Sequence, residues 1–170
     1  MVISSGEARQ RVLEFLNVTI EAVAYTLQIS TNTKTTAGKS YIRGKDGEKP
    51  QVDVAATVGL ITAPFAGALI IAFPMKTYLG LMSRMLGNEY KEIVPEINDG
   101  AAELLNIIFG QVKISLNQKG FEIKQAIPTV VQGKNIQVLQ SSVEPAVIVP
   151  YTSEAGDFYI ELTTNPEGKS

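Results

Sequence analysis

The sequence contains neither cysteine nor histidine. This double absence removes Cys/His zinc sites, thiol nucleophiles and every Ser/His/Asp or Cys/His catalytic pair. Any chemistry must therefore run on amides, carboxylates or groups that a partner supplies. A chain without cysteine is also compatible with a cytoplasmic location, where disulfides are not needed. An excess of positive charge is missing too: 15 Lys and Arg stand against 17 Asp and Glu, a formal charge of −2. A nucleic-acid footprint would need a clustered basic surplus, so no nucleic-acid partner is expected. The longest apolar run, residues 58–73, is broken by Pro64 and Gly67 and falls short of the roughly 20 residues that cross a bilayer, so membrane insertion is not expected. The N-terminal MVISSGEARQR lacks the charged-then-apolar order of a secretory signal. No Pro/Gly/Ser-rich linker divides the chain. With 170 residues, 45% of them hydrophobic, one domain over 1–170 with a sizeable core is the expectation.

What is present reads in order as follows. Residues 6–28 place Val12, Leu13, Leu16, Ile20, Val23, Ala24 and Leu27 at helical spacing, which predicts a first helix. Residues 30–51, rich in Thr, Gly, Lys and Ser, read as irregular or as a short exposed hairpin, with a GKDG turn and Pro50. The GKS at 38–40 invites comparison with a phosphate-binding loop. The comparison fails because Thr33 stands where the first glycine belongs and no helix pattern follows. Residues 53–73 predict two adjacent antiparallel strands. Met75, Leu79, Met82 and Leu86 predict a helix that packs on the core, stopped by Gly87. The stretches 121–131, 135–140, 144–151 and 157–164 have strand character, and the tail 165–170 reads as frayed. Helices and strands do not alternate regularly. The expected fold class is therefore α+β, long helices packed on one mostly antiparallel β-sheet.

The region from Ile93 to Gly120 reads as a helix with Pro95 in its first turn. Its apolar residues Ile97, Ala101, Leu104, Leu105, Ile108, Val112 and Leu116 form one stripe. At about 100° per residue, Asp99, Glu103, Asn106 and Gly110 fall within roughly 60° of arc on the other side. Pro128 follows Asn106 by 22 positions. Glu14 and Asn17 repeat the Glu/Asn offset in the first helix. There Gln10 replaces the acidic residue four positions earlier and Lys39 replaces the distant proline, which marks a decoy. A carboxylate site made of Glu96, Asp99 and Glu103 would hold Mg²⁺ only loosely without histidine or a calcium-loop spacing.

The order Asp99, Glu103, Asn106, Gly110, Pro128 resembles the signature of the CheC/CheX/FliY family, with a single motif as in its CheX-like members. The likeness extends from about Gly59 to Gly133 and includes LGNE before the helix and KGFEIKQAIPTVVQG after it. The resemblance implies the same α+β architecture, a homodimer and a cytoplasmic phosphatase. Its substrate would be the aspartyl phosphate of a CheY-like response-regulator receiver domain, in chemotaxis or related two-component signalling. It implies no cofactor of the chain's own, since such a receiver carries its Mg²⁺, a lysine and the acyl phosphate. Under that reading Asn106 and Glu103 are the catalytic pair. The amide of Asn106 positions the attacking water, and the carboxylate of Glu103 docks on the partner's cationic groups. Asp99, Gly110 and Pro128 complete the partner-binding motif. Asp99 holds the helix or touches the partner's rim, Gly110 keeps the helix surface low or packs closely, and Pro128 fixes a strand end or bulge. The alternative is a non-catalytic adaptor that docks on a receiver or a flagellar-switch protein.

Overall fold

A computed structural model describes residues 5–43, 51–124, 126–138 and 145–165. Among the described residues three α-helices, α1 (Ser5–Thr31), α2 (Met75–Leu86) and α3 (Gly100–Asn117), accompany seven strands. These are β1 (Thr35–Ala37), β2 (Tyr41–Ile42), β3 (Val54–Ile61), β4 (Ala66–Phe73), β5 (Thr129–Gln132), β6 (Val147–Ser153) and β7 (Phe158–Asn165). The strand order is β1-β6-β7-β4-β3-β5, with β2 also on β6, and every pairing between them is antiparallel. The α+β expectation is borne out.

The centre of the sheet follows from sequence alternation. On β4, Leu69, Ile71 and Phe73 face the main core with Val54, Ala56, Val58 and Leu60 of β3. Ile70 and Ala72 point to the opposite face, where they meet Val52, Ala55, Ile148 and Tyr159 in a smaller cluster. A strand's period of two produces this division, and apolar residues on both faces make the run continuous. Thr62 closes the β3–β4 turn: its hydroxyl accepts from the Phe65 N–H and donates to the Phe65 carbonyl. On the smaller face Arg43 pairs with the buried Glu161 at 2.9 Å. Burial pushes the Glu161 carboxyl above its usual range, against the pull of Arg43.

Three expectations need correction. The exposed hairpin of 30–51 does not form, because β1 and β2 both pair with β6 and not with each other. The GKDG turn and Pro50 lie outside the described residues. Strand character at 121–131 survives only in β5, and 135–138 is not strand. There Asn135 has a left-handed φ of 49° and gives its N–H to the Asp53 carboxylate at 2.9 Å, so the backbone is committed elsewhere. In α1 the buried stripe is Phe15, Leu16, Thr19, Ala22, Val23, Thr26 and Leu27, while Leu13 is 52% exposed. Thr19 can enter the core because its hydroxyl donates to the Phe15 carbonyl one turn back. By length and composition α1 could cross a membrane. In the fold it packs on α3, α2 and β1.

Asp53 is a buried junction. Its carboxylate accepts from the Met75 N–H at 2.7 Å, capping α2 from a distance, since Pro74 at the N-cap position has no side-chain acceptor. It also accepts from Asn135 and Gln51. At the other end of α2, Gly87 takes the left-handed φ of 73° that an L side chain would resist.

Candidate active site

The helix that carries the motif begins later than its apolar pattern suggests. Residues Pro95–Ile97 form a single 3₁₀ turn, Asp99 sits at the N-cap position with φ −101° and ψ 6°, and α3 starts at Gly100. Pro95 cannot donate a backbone bond, and the Asp-Gly pair at 99–100 supplies a helix start. The Asp99 carbonyl accepts the Glu103 N–H at 3.0 Å, while its side chain makes no capping bond.

A residue of α2 closes in on this helix start. The phenol of Tyr78, in α2, donates to the Ile97 carbonyl, and the N–H groups of Gly100 and Ala101 face its oxygen. Burial raises the Tyr78 pKa above the usual phenol range, opposed by those two N–H groups. The approach is close: a Cβ on Gly100 would lie 2.3 Å from the Met82 sulfur and 2.8 Å from the Tyr78 oxygen, so any side chain there would force both to shift. From the far side Gln132, at the end of β5, donates to the Asn98 carbonyl at 2.8 Å. Tyr78, Gly100 and Gln132 went unnoticed in the sequence. The Asp-Gly pair was a local signal for Gly100, whereas the other two act across the fold.

The two sides of α3 differ sharply. Ala101, Leu104, Leu105, Ile108, Phe109, Val112 and Leu116 are buried against the sheet and α1. Asp99, Glu103 and Asn106 are exposed and Gly110 is partly so. The structure thus brings Glu103, Asn106 and Gly110 to one helix face, with Asp99 at its entrance. Pro128 is half-buried in the position before β5, the strand whose other end is tied to Asn98.

Other candidates are placed differently. Glu14 is held by Arg11 at 3.2 Å and Lys119 at 3.0 Å, and these cations keep its carboxyl below the usual range, the hydrogen bond from Lys119 first. Asn17 beside it is exposed. Glu96 accepts from the Tyr90 hydroxyl at 2.6 Å. Among the described residues no three acidic side chains gather into a metal cluster, so Glu96, Asp99 and Glu103 do not form one. Residues 35–37 and 41–42 are strand, so the GKS at 38–40 does not open a helix.

Comparison with known proteins agrees with this fold. CheY-P phosphatase CheX of Thermotoga maritima is 29% identical over 113 residues, covering 66% of this chain and 72% of that protein. The crystal structure of the chemotaxis protein CheX from Vibrio vulnificus superposes with a TM-score of 0.81 at 27% identity, covering 89% of this chain and 99% of that one. CheX of Borrelia burgdorferi, solved in a complex with CheY, BeF₃ and Mg²⁺, shares the fold with a TM-score of 0.73 at 23% identity, over 89% and 97% of the two chains. Residues 54–152, which hold β3, β4, β5, α2, α3 and the whole motif from Asp99 to Pro128, match the chemotaxis phosphatase CheX family, and the chain belongs to that family.

Proposed function

We propose that this protein is a phosphatase that hydrolyses the aspartyl phosphate of a CheY-like response-regulator receiver domain. The observation that carries the reading is the pairing of an exposed carboxylate, Glu103, with an exposed amide, Asn106, one turn apart on a helix whose reverse side is fully buried. The buried side holds the helix rigid, which is what positioning chemistry requires. The family membership and the relation to the CheY-P phosphatase CheX of Thermotoga maritima support the same substrate.

The division of labour follows from the side chains. The receiver contributes the acyl phosphate and its own Mg²⁺; the Borrelia complex of CheX with CheY contains BeF₃ and Mg²⁺. Asn106 accepts a hydrogen bond from water and holds it in line with the phosphorus. The water oxygen bonds to phosphorus as the receiver's aspartate carboxylate departs. An amide is not a general base, so its contribution is placement, the role a glutamine plays toward water in GTP hydrolysis. Glu103 meets the cationic groups around the phosphate and fixes the partner's orientation. Asp99 stands at the rim. Pro128 supports the motif through β5. The setting is cytoplasmic, in chemotaxis or a related two-component pathway.

The active form in this proposal is a homodimer. Its support is the open edge of the sheet at β5, beside which Ile127 is 89% exposed and Ile61 and Val131 are also uncovered. A mass by light scattering that stays monomeric at every concentration would remove the dimer from the proposal. The catalytic reading is tested by phosphate release from a phosphorylated receiver with and without this protein. Acceleration supports it. Binding without acceleration makes the chain an adaptor.

A further inference from the structure

The outward face of α3 does not end at Asn106. Ile107 is 40% exposed and Ile114 is 69% exposed. Between them stands Gly110. At about 100° per residue these three lie within roughly 60° of arc, inside which Glu103 also falls. Along the axis Gly110 is about 6 Å and Ile114 about 12 Å beyond Asn106. Single exposed isoleucines are ordinary on a protein surface. Here two of them, seven residues apart, bracket a gap in a stripe that holds Glu103 and borders Asn106.

Gly110 is unexplained from within. A Cβ built on it would meet nothing within 4 Å, in contrast to Gly100, where one would strike Met82 and Tyr78. It sits inside a regular helix, where alanine is the more stable residue. The close-packing role that the sequence left open for Gly110 is therefore removed. A glycine that weakens its helix, fills no internal need and opens a notch between two uncovered isoleucines is accounted for by something that seats from outside.

We propose that Ile107, Gly110 and Ile114 form the receiver's docking seat: an apolar ridge or a stretch of main chain of the phosphorylated receiver lies in the Gly110 notch, gripped by the two isoleucines. The proposal rests on the phosphatase reading above and deepens it, because the seat is continuous with Glu103 and Asn106. The receiver is favoured over a second copy of this chain because the open strand edge and its uncovered apolar residues lie elsewhere, at β5. These three residues are positioning groups and supply no chemistry.

Gly110→Ala separates the seat from a purely internal role, because its two effects have opposite signs. Losing the glycine should raise Tm by about 2 °C through helix propensity and reduced unfolded-state entropy. Closing the notch should raise KM for the phosphorylated receiver about tenfold, with a smaller change in kcat, as expected for one good interface contact. Ile114→Ser should raise KM similarly with Tm nearly unchanged. Calorimetric binding to a receiver held with Mg²⁺ and beryllium fluoride should show the same factors in Kd. If the parent protein binds that receiver but releases no phosphate, the phosphatase reading fails while the seat is still measured by Kd. Parent-like Kd in both variants overturns the seat, as does a parent that does not bind. A changed oligomeric mass at unchanged receiver affinity also overturns it, and would assign this face to subunit contact.

Discussion

The hydroxyl of Tyr78, in the first turn of α2, donates to the carbonyl of Ile97 just ahead of the helix that carries Glu103 and Asn106. Its oxygen also faces the N–H groups of Gly100 and Ala101. One buried phenol thus sits at the break between the 3₁₀ turn and α3. Tyr78→Phe keeps the ring that packs near Phe73 but leaves buried backbone groups without a partner. Such a loss costs about 1–3 kcal/mol, and for a chain of this size Tm should fall by roughly 2–4 °C for each kcal/mol. Thermal and urea unfolding measure it. An unchanged midpoint would mean that water or a relaxed helix start replaces the phenol.

Asp53 gives the fold an acid-sensitive joint. Burial alone would raise its pKa, but the N–H groups of Asn135 and Met75, with Gln51 and the charge of Lys134, outweigh this and hold it below the ordinary value. The folded pKa is therefore lower than the unfolded one. The stabilisation is present above the unfolded value of about 4 and is lost as pH falls through the folded value. Asp53→Asn, which replaces an acceptor by a donor beside donor N–H groups, should be destabilised by about 1–3 kcal/mol at neutral pH. Its gap from the parent should narrow steadily in acid. Urea midpoints from pH 7 to 2 give the answer, and a constant gap would show that the carboxylate's charge is not what holds the joint.

The parts of the fold that were legible in the sequence are those that local periodicity encodes. The apolar stripe named for α3 is buried at every one of its seven positions, from Ile97 to Leu116. The β3–β4 pair and the Gly87 stop follow from alternation and backbone chirality in the same way. Long-range demands overrode local ones elsewhere. Residues 135–138 look like a strand, yet a carboxylate 82 positions earlier claims the Asn135 N–H. Thr19 outranks Leu13 for the core because the sheet and α3 select the face of α1, and a threonine can satisfy itself one turn back. The same distinction applies to the site. Glu103 and Asn106 were visible as a spacing, whereas Tyr78 and Gln132 act on α3 only after α2 and β5 have been folded beside it.

The Glu/Asn pair of α1 should be silent. Glu14 carries two cations, Arg11 and Lys119, so its charge is spent inside the molecule and is not free to meet a receiver. Asn17→Ala, at an exposed position, should leave the dephosphorylation rate within about twofold of the parent and stability within about 0.5 kcal/mol. A loss as large as that of Asn106→Ala would establish a second working motif.

The sharpest division is between Asn106 and Glu103, because the first is assigned to placing water and the second to docking. Both are exposed on α3, so replacing either by alanine should shift stability by no more than about 0.5 kcal/mol. Asn106→Ala removes the groups that hold the water but no group that meets the partner's charge. Its rate should fall by about 100-fold or more, the usual consequence of a misplaced reactant. Its affinity for a receiver held with Mg²⁺ and beryllium fluoride should stay near that of the parent. Glu103→Ala should lose both rate and affinity, since the carboxylate is assigned to the partner's cationic groups in the ground state as well as during reaction. Single-turnover phosphate release at saturating enzyme, paired with calorimetric binding, reads the two effects separately. An Asn106→Ala protein that releases phosphate at the parental rate would remove the water-positioning role and leave a receiver-binding module. Should Asn106→Ala lose binding in step with rate, the amide would be a docking group. Asn106→Asp, which keeps the shape and the acceptor but gives up the amide donors, would then show whether those donors make the contact.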